Sequence, residues 1–451
     1  MAASIRAAAT LLLAAMLWSP AHAAHFEGLG FLPDGTTSNA WDVSADGSVI
    51  VGGETYTIPM PGTRPFIWTS STGMFTPQTT APLTGTGVYT AVSADGNSAV
   101  GYDGAFLHSA AETARPVRWS RLNGTEAIAT DLNISQGAAF AISANGSRAF
   151  VDVIPFFGGM PHPYLWSESQ GSVSIEPSPE VHAGRLGPFD MSADGTRVVT
   201  TDLLDGTYGA IMWTEGAGFT SLGFDNPTRI TPDGSIVVGW DSQVGSPPLA
   251  VRWTESSGIE PLGVAPGHTG SIAKGVSADA QRIVGNGTAN FVDPSDECFI
   301  WDPLNGIRDL NQVLTQHYGL ADQLAGWSGK WVNALSDDGR TIVGWGTDPN
   351  DHTQAFRIVL NATGDANDDG LIDGADYTLW ADHFQQANPL VAQGDFNTDG
   401  KVDGADYTLW ADHYQPAASA ALPVPEPTAW ALALVGAASA MLLYWRAGRR
   451  V

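Results

Sequence analysis

Residues 40–52 of the chain read AWDVSADGSVIVG, and close variants of this stretch recur further along the sequence. An alternating segment ends at Val-Ser, an Asp-Gly pair follows, and a second segment of the Val-Ile-Val-Gly kind comes next. The Asp-Gly pair supplies the positive φ that a tight hairpin turn requires. The stretch therefore predicts a β-hairpin, and its recurrence predicts a fold built from repeated hairpins.

Seven copies of this hairpin lie between residues 25 and 360, and a strand with an aromatic residue follows each of them. The turns begin at Ser44, Ser93, Ser143, Ser192, Thr231, Ser277 and Ser336, and the aromatic residues are Trp68, Trp119, Trp166, Trp213, Trp253, Trp301 and Phe356. A fourth strand, such as residues 259–263, ends in Leu-Gly. Four strands in a period of roughly 40 to 60 residues are typical of a propeller blade. We predict a mainly β fold with a seven-bladed β-propeller over residues 24–360.

The two ends of the repeat array complement each other. The seventh copy ends at residue 360 without a Leu-Gly strand of its own, and residues 26–32 near the other end read FEGLGFL. Pairing this segment with the seventh blade would close the ring and remove its exposed sheet edges. The sequence thus predicts closure of the propeller by its N-terminal strand.

Some repeated side chains have both a structural and a functional interpretation. The Asp of each turn caps that turn or, alternatively, is a catalytic carboxylate. The blade tryptophans pack between blades or, alternatively, form platforms for sugars. Cys298, the single cysteine, cannot form an intrachain disulfide; it is a small buried core residue or, alternatively, a reactive thiol. The structural interpretation is favoured in all three cases.

The Ser-Ala-Asp-Gly turns and Val-Val-Gly strands resemble the HAF-repeat family of extracellular proteins, over about three quarters of the chain. The resemblance implies a β fold and no established activity. The formal net charge of −27 opposes nucleic acid as a partner, because so acidic a surface repels phosphate groups. Clustered carboxylates suit hard divalent cations instead, and the densest cluster lies between residues 365 and 412.

Two twelve-residue loops, 365–376 and 395–406, have the ligand spacing of calcium sites. Positions 1, 3, 5, 9 and 12 carry Asp or Asn, position 6 is Gly, and position 7 offers a main-chain carbonyl. The predicted ligands are Asp365, Asn367, Asp369, Leu371, Asp373 and Asp376 in the first loop, and Asp395, Asn397, Asp399, Lys401, Asp403 and Asp406 in the second. We predict two bound Ca²⁺ ions, which we expect to drive the folding of a module over residues 361–416.

Each loop is followed by a predicted helix, at residues 377–384 and 407–414. Aromatic residues and Ala recur at i, i+3, i+4 and i+7, so we expect these two faces to pack against each other. His383 and His413 are interpreted as packing residues, because calcium prefers oxygen ligands. The pair of loop-helix units resembles the type I dockerin domain over residues 364–415, which implies docking to a cohesin-like protein. Positions 10 and 11 are Gly-Ala in both loops, without the hydroxyl or basic residues of many dockerins.

The first 23 residues predict a signal peptide. Arg6 precedes an apolar run over residues 7–18, and Ala21 and Ala23 provide the small-x-small pattern of a cleavage site after Ala23. The alternative is an N-terminal anchor, but a run of about a dozen apolar residues is short for a membrane span. An exported protein is the prediction.

The other end of the chain predicts a second targeting segment. A linker over residues 417–427 ends in Pro425, Glu426 and Pro427, and a predicted transmembrane helix with an Arg-rich tail occupies residues 428–451. Residues 424–451 resemble the PEP-CTERM sorting signal of Gram-negative bacteria. The resemblance implies an exosortase as partner and a transient anchor in the inner membrane, with a plain tail anchor as the alternative.

These features favour a non-catalytic protein of the cell surface or extracellular space. The propeller would be a binding or structural platform, with a glycan as candidate ligand, and the calcium module a connector. The alternative is a polysaccharide-degrading hydrolase or lyase that carries a dockerin. The sequence has no His-Glu-x-x-His or Gly-x-Ser-x-Gly motif to support catalysis. Self-association through the calcium module is a variant of the first interpretation.

Overall fold

The computed structural model of the chain describes residues 24–57, 62–80, 83–104, 114–155, 162–175, 190–204, 207–242, 247–288 and 297–415. The predicted signal peptide, the Pro-Glu-Pro motif and the predicted C-terminal helix lie outside these residues. In the part of the chain that is described, no helix has the length and apolar character that crossing a membrane requires.

Seven four-stranded antiparallel sheets follow one another along the chain, and the predicted seven-bladed propeller is confirmed. The first strand, β1 (His25–Gly28), belongs to the last blade. Blade 1 contains β2 (Gly35–Val43), β3 (Val49–Tyr56), β4 (Gly62–Thr69) and β5 (Gly73–Phe75). Blade 2 contains β6 (Gly87–Val92), β7 (Ser98–Asp103), β8 (Arg115–Ser120) and β9 (Gly124–Ala127). Blade 3 contains β10 (Ile134–Ile142), β11 (Arg148–Pro155), β12 (His162–Ser167) and β13 (Gly171–Ser174).

The remaining blades repeat this order of strands. Blade 4 contains β14 (Asp190–Met191), β15 (Arg197–Leu204), β16 (Thr207–Thr214) and β17 (Gly218–Ser221). Blade 5 contains β18 (Asn226–Ile230), β19 (Ile236–Asp241), β20 (Leu249–Thr254) and β21 (Gly258–Gly263). Blade 6 contains β22 (Ile272–Val276), β23 (Ile283–Asn286), β24 (Cys298–Asp302) and β25 (Gly306–Asp309). Blade 7 contains β26 (Ser328–Leu335), β27 (Thr341–Thr347), β28 (Thr353–Val359) and β1.

The ring closes as the sequence predicts. Strand β1 pairs antiparallel with β28, with His25 opposite Val359 and Gly28 opposite Phe356. The N-terminal strand therefore supplies the outer strand that the seventh repeat lacks. Residues from the two ends of the propeller share one sheet, which is how this fold avoids an open edge.

The hydrophobic core is divided among the joints between neighbouring blades. Each joint has its own cluster of buried apolar side chains, including the one between blades 7 and 1. Trp68, Trp119, Trp166, Trp253 and Trp301 are buried in these clusters, and Trp213 is partly buried against one. Their predicted place between blades is confirmed, and it leaves little ring surface on which a sugar could stack.

The inner strands bring their main chain unusually close to the second strands. Six of them contain a β-bulge, as between Ala40 and Asp42 in blade 1. Opposite the bulge, five blades have a glycine where a Cβ would lie only 2.0 to 2.1 Å from a main-chain carbonyl oxygen; these are Gly52, Gly101, Gly239, Gly285 and Gly344. Blades 3 and 4 carry Val151 and Thr200 at the corresponding position. The Val-Gly ending of the second strand thus reflects close backbone packing in five blades.

The repeated turns hold neighbouring blades together. Ala45 N–H donates to the Ala94 carbonyl at 3.1 Å, and Ala94 N–H donates in turn to the Ala144 carbonyl at 3.0 Å. The same contact joins blades 3 and 4, blades 4 and 5, and blades 6 and 7, and Asp338 N–H donates to the Ala45 carbonyl between blades 7 and 1. The Ala of the Ser-Ala-Asp-Gly turn is therefore part of a series of hydrogen bonds around the propeller axis, which is interrupted between blades 5 and 6 by Pro232.

Five short helical segments complete the described structure. Helices α1 (Leu310–Gln316) and α2 (Ala321–Leu324) lie between β25 and β26. After the propeller come α3 (Gly374–Asp382), a 3₁₀ turn (Val391–Gln393) and α4 (Gly404–His413). Both α3 and α4 begin at position 10 of a predicted calcium loop, three residues earlier than the aromatic pattern predicts.

Candidate functional site

Charged side chains from different blades meet at one end of the propeller axis. Asp42, Asp190 and Arg229 stand at the same repeat position, two residues before the turn Ser or Thr. The Arg229 guanidinium lies 2.8 Å from the Asp42 carboxylate and 3.9 Å from that of Asp190. Val92 N–H donates to Asp42, and Ile230 N–H donates to Asp190, both at 2.9 Å. One arginine therefore links two carboxylates that approach from opposite parts of the ring.

The surrounding cavity is small and has both signs of charge. Its volume is about 90 Å³, and Asp337 from blade 7 also lines it. Sites for drug-sized ligands usually enclose about 300 Å³ or more. Burial raises the pKa of Asp190 to about 6, since desolvation outweighs the attraction of Arg229. Burial also lowers the pKa of Lys274, on the neighbouring inner strand β22, to about 8, with a further contribution from Arg229.

The raised pKa of Asp190 predicts a pH dependence of stability. In the unfolded chain this carboxyl ionises near its usual pKa of 3.8, whereas in the folded chain it ionises near 6. Between these two pKa values the folded chain keeps a proton on Asp190 that the unfolded chain has lost. The contribution of Asp190 to stability therefore falls as the pH rises from 3.8 through about 6. The unfolding free energy of the unmodified chain should lose this contribution between pH 5 and pH 7.5, whereas that of Asp190→Asn should not. The difference between the two chains should therefore shift by about 1 kcal/mol in favour of Asp190→Asn over this range.

Urea unfolding at the two pH values, at constant calcium, measures this difference. Asp322→Asn removes an exposed carboxyl of α2 and is the matched control, for which no pH-dependent gain is expected. An Asp190→Asn difference that is the same at both pH values would contradict the assignment.

The turn carboxylates have the structural role that the sequence favours. Ser44 Oγ donates to Asp46 at 2.8 Å, and Ser48 N–H donates to the same oxygen at 2.9 Å. The same pair of bonds recurs in every other blade, with Asn145 replacing Asp in blade 3. Cys298 is buried, as predicted.

The first predicted calcium loop turns its carboxylates inward. Asp365 and Asp376 are fully buried, and Asp376 accepts main-chain N–H groups from Ala366 at 2.8 Å and Asp373 at 2.8 Å. Asp365 Oδ2 accepts the Gly370 N–H at 3.0 Å, whereas its Oδ1 is buried without a partner. Burial, with the nearby charge of Asp376, raises the pKa of Asp365. An unpartnered buried carboxylate oxygen is costly unless a cation or a proton compensates its charge.

The second loop repeats this geometry. Asp395 and Asp406 are fully buried, and Gly400 N–H donates to Asp395 Oδ2 at 3.2 Å. Asp406 accepts N–H groups from Asn397 at 3.1 Å and Asp403 at 2.9 Å. Burial, together with the charges of Asp395 and Asp399, raises the pKa of Asp406 to about 6. The remaining predicted ligands lie in the same two loops, where Asp369 and Asp399 bond their own loop and Leu371 and Lys401 are exposed.

The two loop-helix units are related by a crossed pair of hydrogen bonds. Trp380 Nε1 donates to the Asp403 carbonyl, and Trp410 Nε1 donates to the Asp373 carbonyl, each at 2.9 Å. Both carbonyls belong to position 9 of the opposite loop. Tyr377 packs against Trp410 at 5.3 Å between ring centroids, and Tyr407 against Trp380 at 5.4 Å. Each helix therefore fixes the far end of the other unit's loop.

The predicted packing faces of the helices are only partly right. The Tyr and Trp positions do meet, but Ala381 and Ala411 are exposed. Leu379 and Leu409 pack against the buried cluster of the module instead. Trp380 and Trp410 pack against the same cluster, so the buried face lies between the predicted aromatic positions and these leucines. His383 and His413 each contact a carbonyl of their own helix through Nδ1, at 2.7 and 2.8 Å.

The residues present suit calcium by donor type. Each loop contributes carboxylates, an amide and a main-chain carbonyl, which are all oxygen donors that Ca²⁺ prefers. Within the described residues, no three His, Cys, Asp or Glu side chains are grouped closely enough to hold a metal. The fit therefore rests on the donor chemistry and on the unpartnered oxygen of Asp365.

Fold and loops together define a class of protein: a seven-bladed β-propeller followed by a paired loop-helix module. Comparison with protein-family models gives no match, and comparison with curated proteins gives none either.

Solved structures with a similar fold include an oligogalacturonate lyase in complex with manganese, at 12% identity and a TM-score of 0.48 over 75% of this chain and 97% of that chain. Another is the β-propeller domain of the Trilobed protease from Pyrococcus furiosus, at 8% identity and a TM-score of 0.46 over 72% of this chain and 95% of that chain. TolB from Acinetobacter baumannii is similar at 14% identity and a TM-score of 0.38, over 70% of this chain and 81% of that chain. These scores add nothing to what the strand order of the chain itself shows.

The sequence reasoning missed the charged cluster on the axis. Its signal was present, because Asp42, Asp190 and Arg229 replace the Ala or Gly that the other repeats have at this position. It also missed the propeller residues that contact the predicted calcium loops. Those residues have no repeat pattern, so the sequence carries no signal for them.

Proposed function

We propose that this chain is an exported, non-catalytic binding or structural protein of the cell surface or extracellular space, with a calcium-dependent dockerin-type connector. The observation that carries the calcium part is the Asp365 Oδ1 atom, buried without a partner in a loop whose other donors are also oxygens. The same loop design recurs at 395–406, where burial and neighbouring carboxylates raise the pKa of Asp406 to about 6. Two Ca²⁺ ions would neutralise both groups of carboxylates.

The export part of the proposal rests on sequence features alone. Residues 1–23 have the pattern of a signal peptide, and residues 424–451 have that of a sorting tail. An exosortase and the inner membrane would be partners of the tail. A cohesin-like protein or a second copy of the chain would be the partner of the calcium module, and a glycan is a candidate ligand of the propeller.

A polysaccharide-degrading hydrolase or lyase is the second candidate. One observation favours it: Asp190 has a pKa of about 6 and lies near a second carboxylate, Asp42, as a general acid would. Against it, Arg229 occupies the space between the two carboxylates, and the cavity of about 90 Å³ is small for a sugar chain. The non-catalytic function is therefore the one proposed.

Calcium calorimetry on the whole chain without residues 1–23 tests the proposal. We expect two bound ions in the unmodified chain, one in Asp365→Ala and in Asp395→Ala, and none in the double variant, because each substitution removes the first ligand of one loop. Asp382→Asn, an exposed carboxyl of α3 outside the loops, is the control and keeps both ions. Absence of binding heat at millimolar calcium would refute the calcium connector.

A further inference from the structure

The calcium module lies against blade 6 and helix α1, and its second loop receives three side chains from that surface. Asn305 Nδ2 donates to the Asn397 carbonyl at 2.8 Å. Arg308 donates to the carbonyl of Thr398 at 2.9 Å and to its hydroxyl at 3.1 Å. His317 Nδ1 lies 3.2 Å from Asp395 Oδ2. Propeller groups thus contact positions 1, 3 and 4 of the loop.

The contact at position 1 concerns the orientation of a ligand. Asp395 Oδ2 already accepts the Gly400 N–H, and the tautomer of His317 with its hydrogen on Nδ1 donates to the same oxygen. Both bonds hold the carboxylate plane while Asp395 Oδ1 faces the loop, where it accepts only the Asp399 N–H at 3.1 Å. Removal of a group that hydrogen-bonds a metal ligand typically lowers metal affinity about 10- to 100-fold.

The contact at position 4 concerns the shape of the loop. Thr398 has a φ of +54°, a conformation that a residue with a side chain rarely adopts without support. Arg308 bonds the carbonyl and the hydroxyl of Thr398, and Asp302 holds Arg308 in turn at 2.6 Å. Because Asp302 pairs with Arg308, the guanidinium adds little net positive charge near a bound cation. The loop is therefore held in shape without strong repulsion of calcium.

The first loop has less of this support. Asp368, at its position 4, has the same φ of +54° and faces Arg340 of the blade 7 turn at 3.6 Å. Among the described residues, however, no propeller side chain bonds Asp365, the first ligand of that loop. His317 is tied to the module a second time, since its carbonyl accepts the Val391 N–H at 2.8 Å. The two loops have matching sequences but unequal surroundings.

We infer that His317 and Arg308 are positioning residues of the second calcium site, so that this site is shared between the propeller and the module and binds calcium more tightly than the first. The inference rests on the calcium binding proposed above. An ordered loop loses less conformational entropy when the ion binds, which is the source of the tighter binding. By linkage, an ion at this site stabilises the contact between module and propeller.

Two backgrounds of the whole chain without residues 1–23 separate the sites. Asp365→Ala leaves only the second site, and Asp395→Ala leaves only the first. In the Asp365→Ala chain, which keeps only the second site, we expect His317→Ala and Arg308→Ala each to weaken calcium binding about tenfold or more in calorimetry. His317→Asn, whose amide N–H can replace that of Nδ1, should keep most of the affinity. In the Asp395→Ala chain, which keeps only the first site, none of these substitutions should change the calcium affinity.

Arg121→Ala, at an exposed arginine in blade 2, is the control for loss of one positive charge. Circular dichroism of each variant checks that the propeller is folded. Should His317→Ala fail to fold, His317→Asn and Arg308→Lys give the same comparison, because the first keeps the hydrogen bond and the second keeps only the charge.

Unchanged affinity of the second site in the His317 and Arg308 variants, or an equal loss at both sites, would overturn the inference. Absence of calcium binding in the unmodified chain would instead contradict the proposed function. As a second expected result, calcium should raise the melting temperature of the propeller in the Asp365→Ala chain but not in the Asp395→Ala chain. Calcium that raised the melting temperature in the Asp395→Ala chain but not in the Asp365→Ala chain would also overturn the inference.

Discussion

Removal of residues 25–32 is expected to abolish the cooperative unfolding of the propeller and to leave a chain that aggregates. The deletion removes β1 from the outer edge of blade 7 and exposes the main-chain groups of β28. It also removes Leu29 and Leu32 from the cluster between blades 7 and 1. An unpaired strand edge beside exposed apolar surface promotes intermolecular pairing.

A single side chain carries much of this closure. Phe26 is buried and contacts Trp327 at 4.9 Å and Phe356 at 5.3 Å between ring centroids. Beside it, Arg357 pairs with Glu27 and lies 4.3 Å from the centre of the Trp68 ring in blade 1. We expect Phe26→Ala to lower the unfolding free energy by about 3 to 5 kcal/mol.

Urea unfolding, followed by circular dichroism, measures both effects in the chain without residues 1–23. Leu122→Ala removes an apolar side chain that is 94% exposed and should cost less than about 0.5 kcal/mol. A deletion variant that unfolds cooperatively at the same urea concentration as the unmodified chain would show that β1 does not close the ring.

The second large effect is expected for Gly52→Ala, at about 3 kcal/mol of unfolding free energy. A Cβ at this position would lie 2.0 Å from the Asn39 carbonyl oxygen and 2.7 Å from the Phe66 ring. The carbonyl belongs to a bulged inner strand and the ring is fully buried, so neither can move away cheaply. Gly52→Ala adds only one methyl group, and the cost therefore comes from displaced backbone.

Gly374→Ala is the matched control, because nothing lies within 4 Å of its Cβ and the residue begins helix α3. There the same substitution should be neutral or slightly stabilising, since Ala favours a helix over Gly. Chemical unfolding compares the two variants. A cost below about 1 kcal/mol for Gly52→Ala would mean that the bulge is free to shift.

The architecture could be predicted from the sequence because its determinants are local and repeated. The Ser-Ala-Asp-Gly turn, the glycine of the second strand and the aromatic third strand recur in nearly every blade. Even the closure by β1 left a local sign, since one strand was missing at the end of the array. The positions of the predicted calcium loops followed from spacing within twelve residues.

The contacts that could not be predicted join residues far apart in the chain. Asp42 and Arg229 are 187 positions apart, and only the completed ring brings them together. Arg308 and Thr398 are 90 positions apart, and their contact depends on where the module settles on blade 6. The exposed Ala381 shows the same limit within the module, because the packing of α3 depends on α4 and not on its own pattern alone.

Pro232, in the turn of blade 5, leaves one joint of the propeller without the main-chain hydrogen bond between neighbouring turns. At this position in blades 1, 2, 3, 4 and 6 the main-chain N–H donates to the next turn, and in blade 7 the following residue, Asp338, does so, whereas proline has no N–H to donate. Blades 5 and 6 can therefore separate at the rim of the axis without breaking such a bond. The joint between blades 5 and 6 is held instead by its buried apolar cluster and by the Thr228 hydroxyl, which donates to the Ala273 carbonyl at 2.9 Å, so its resistance to pulling force depends on side chains.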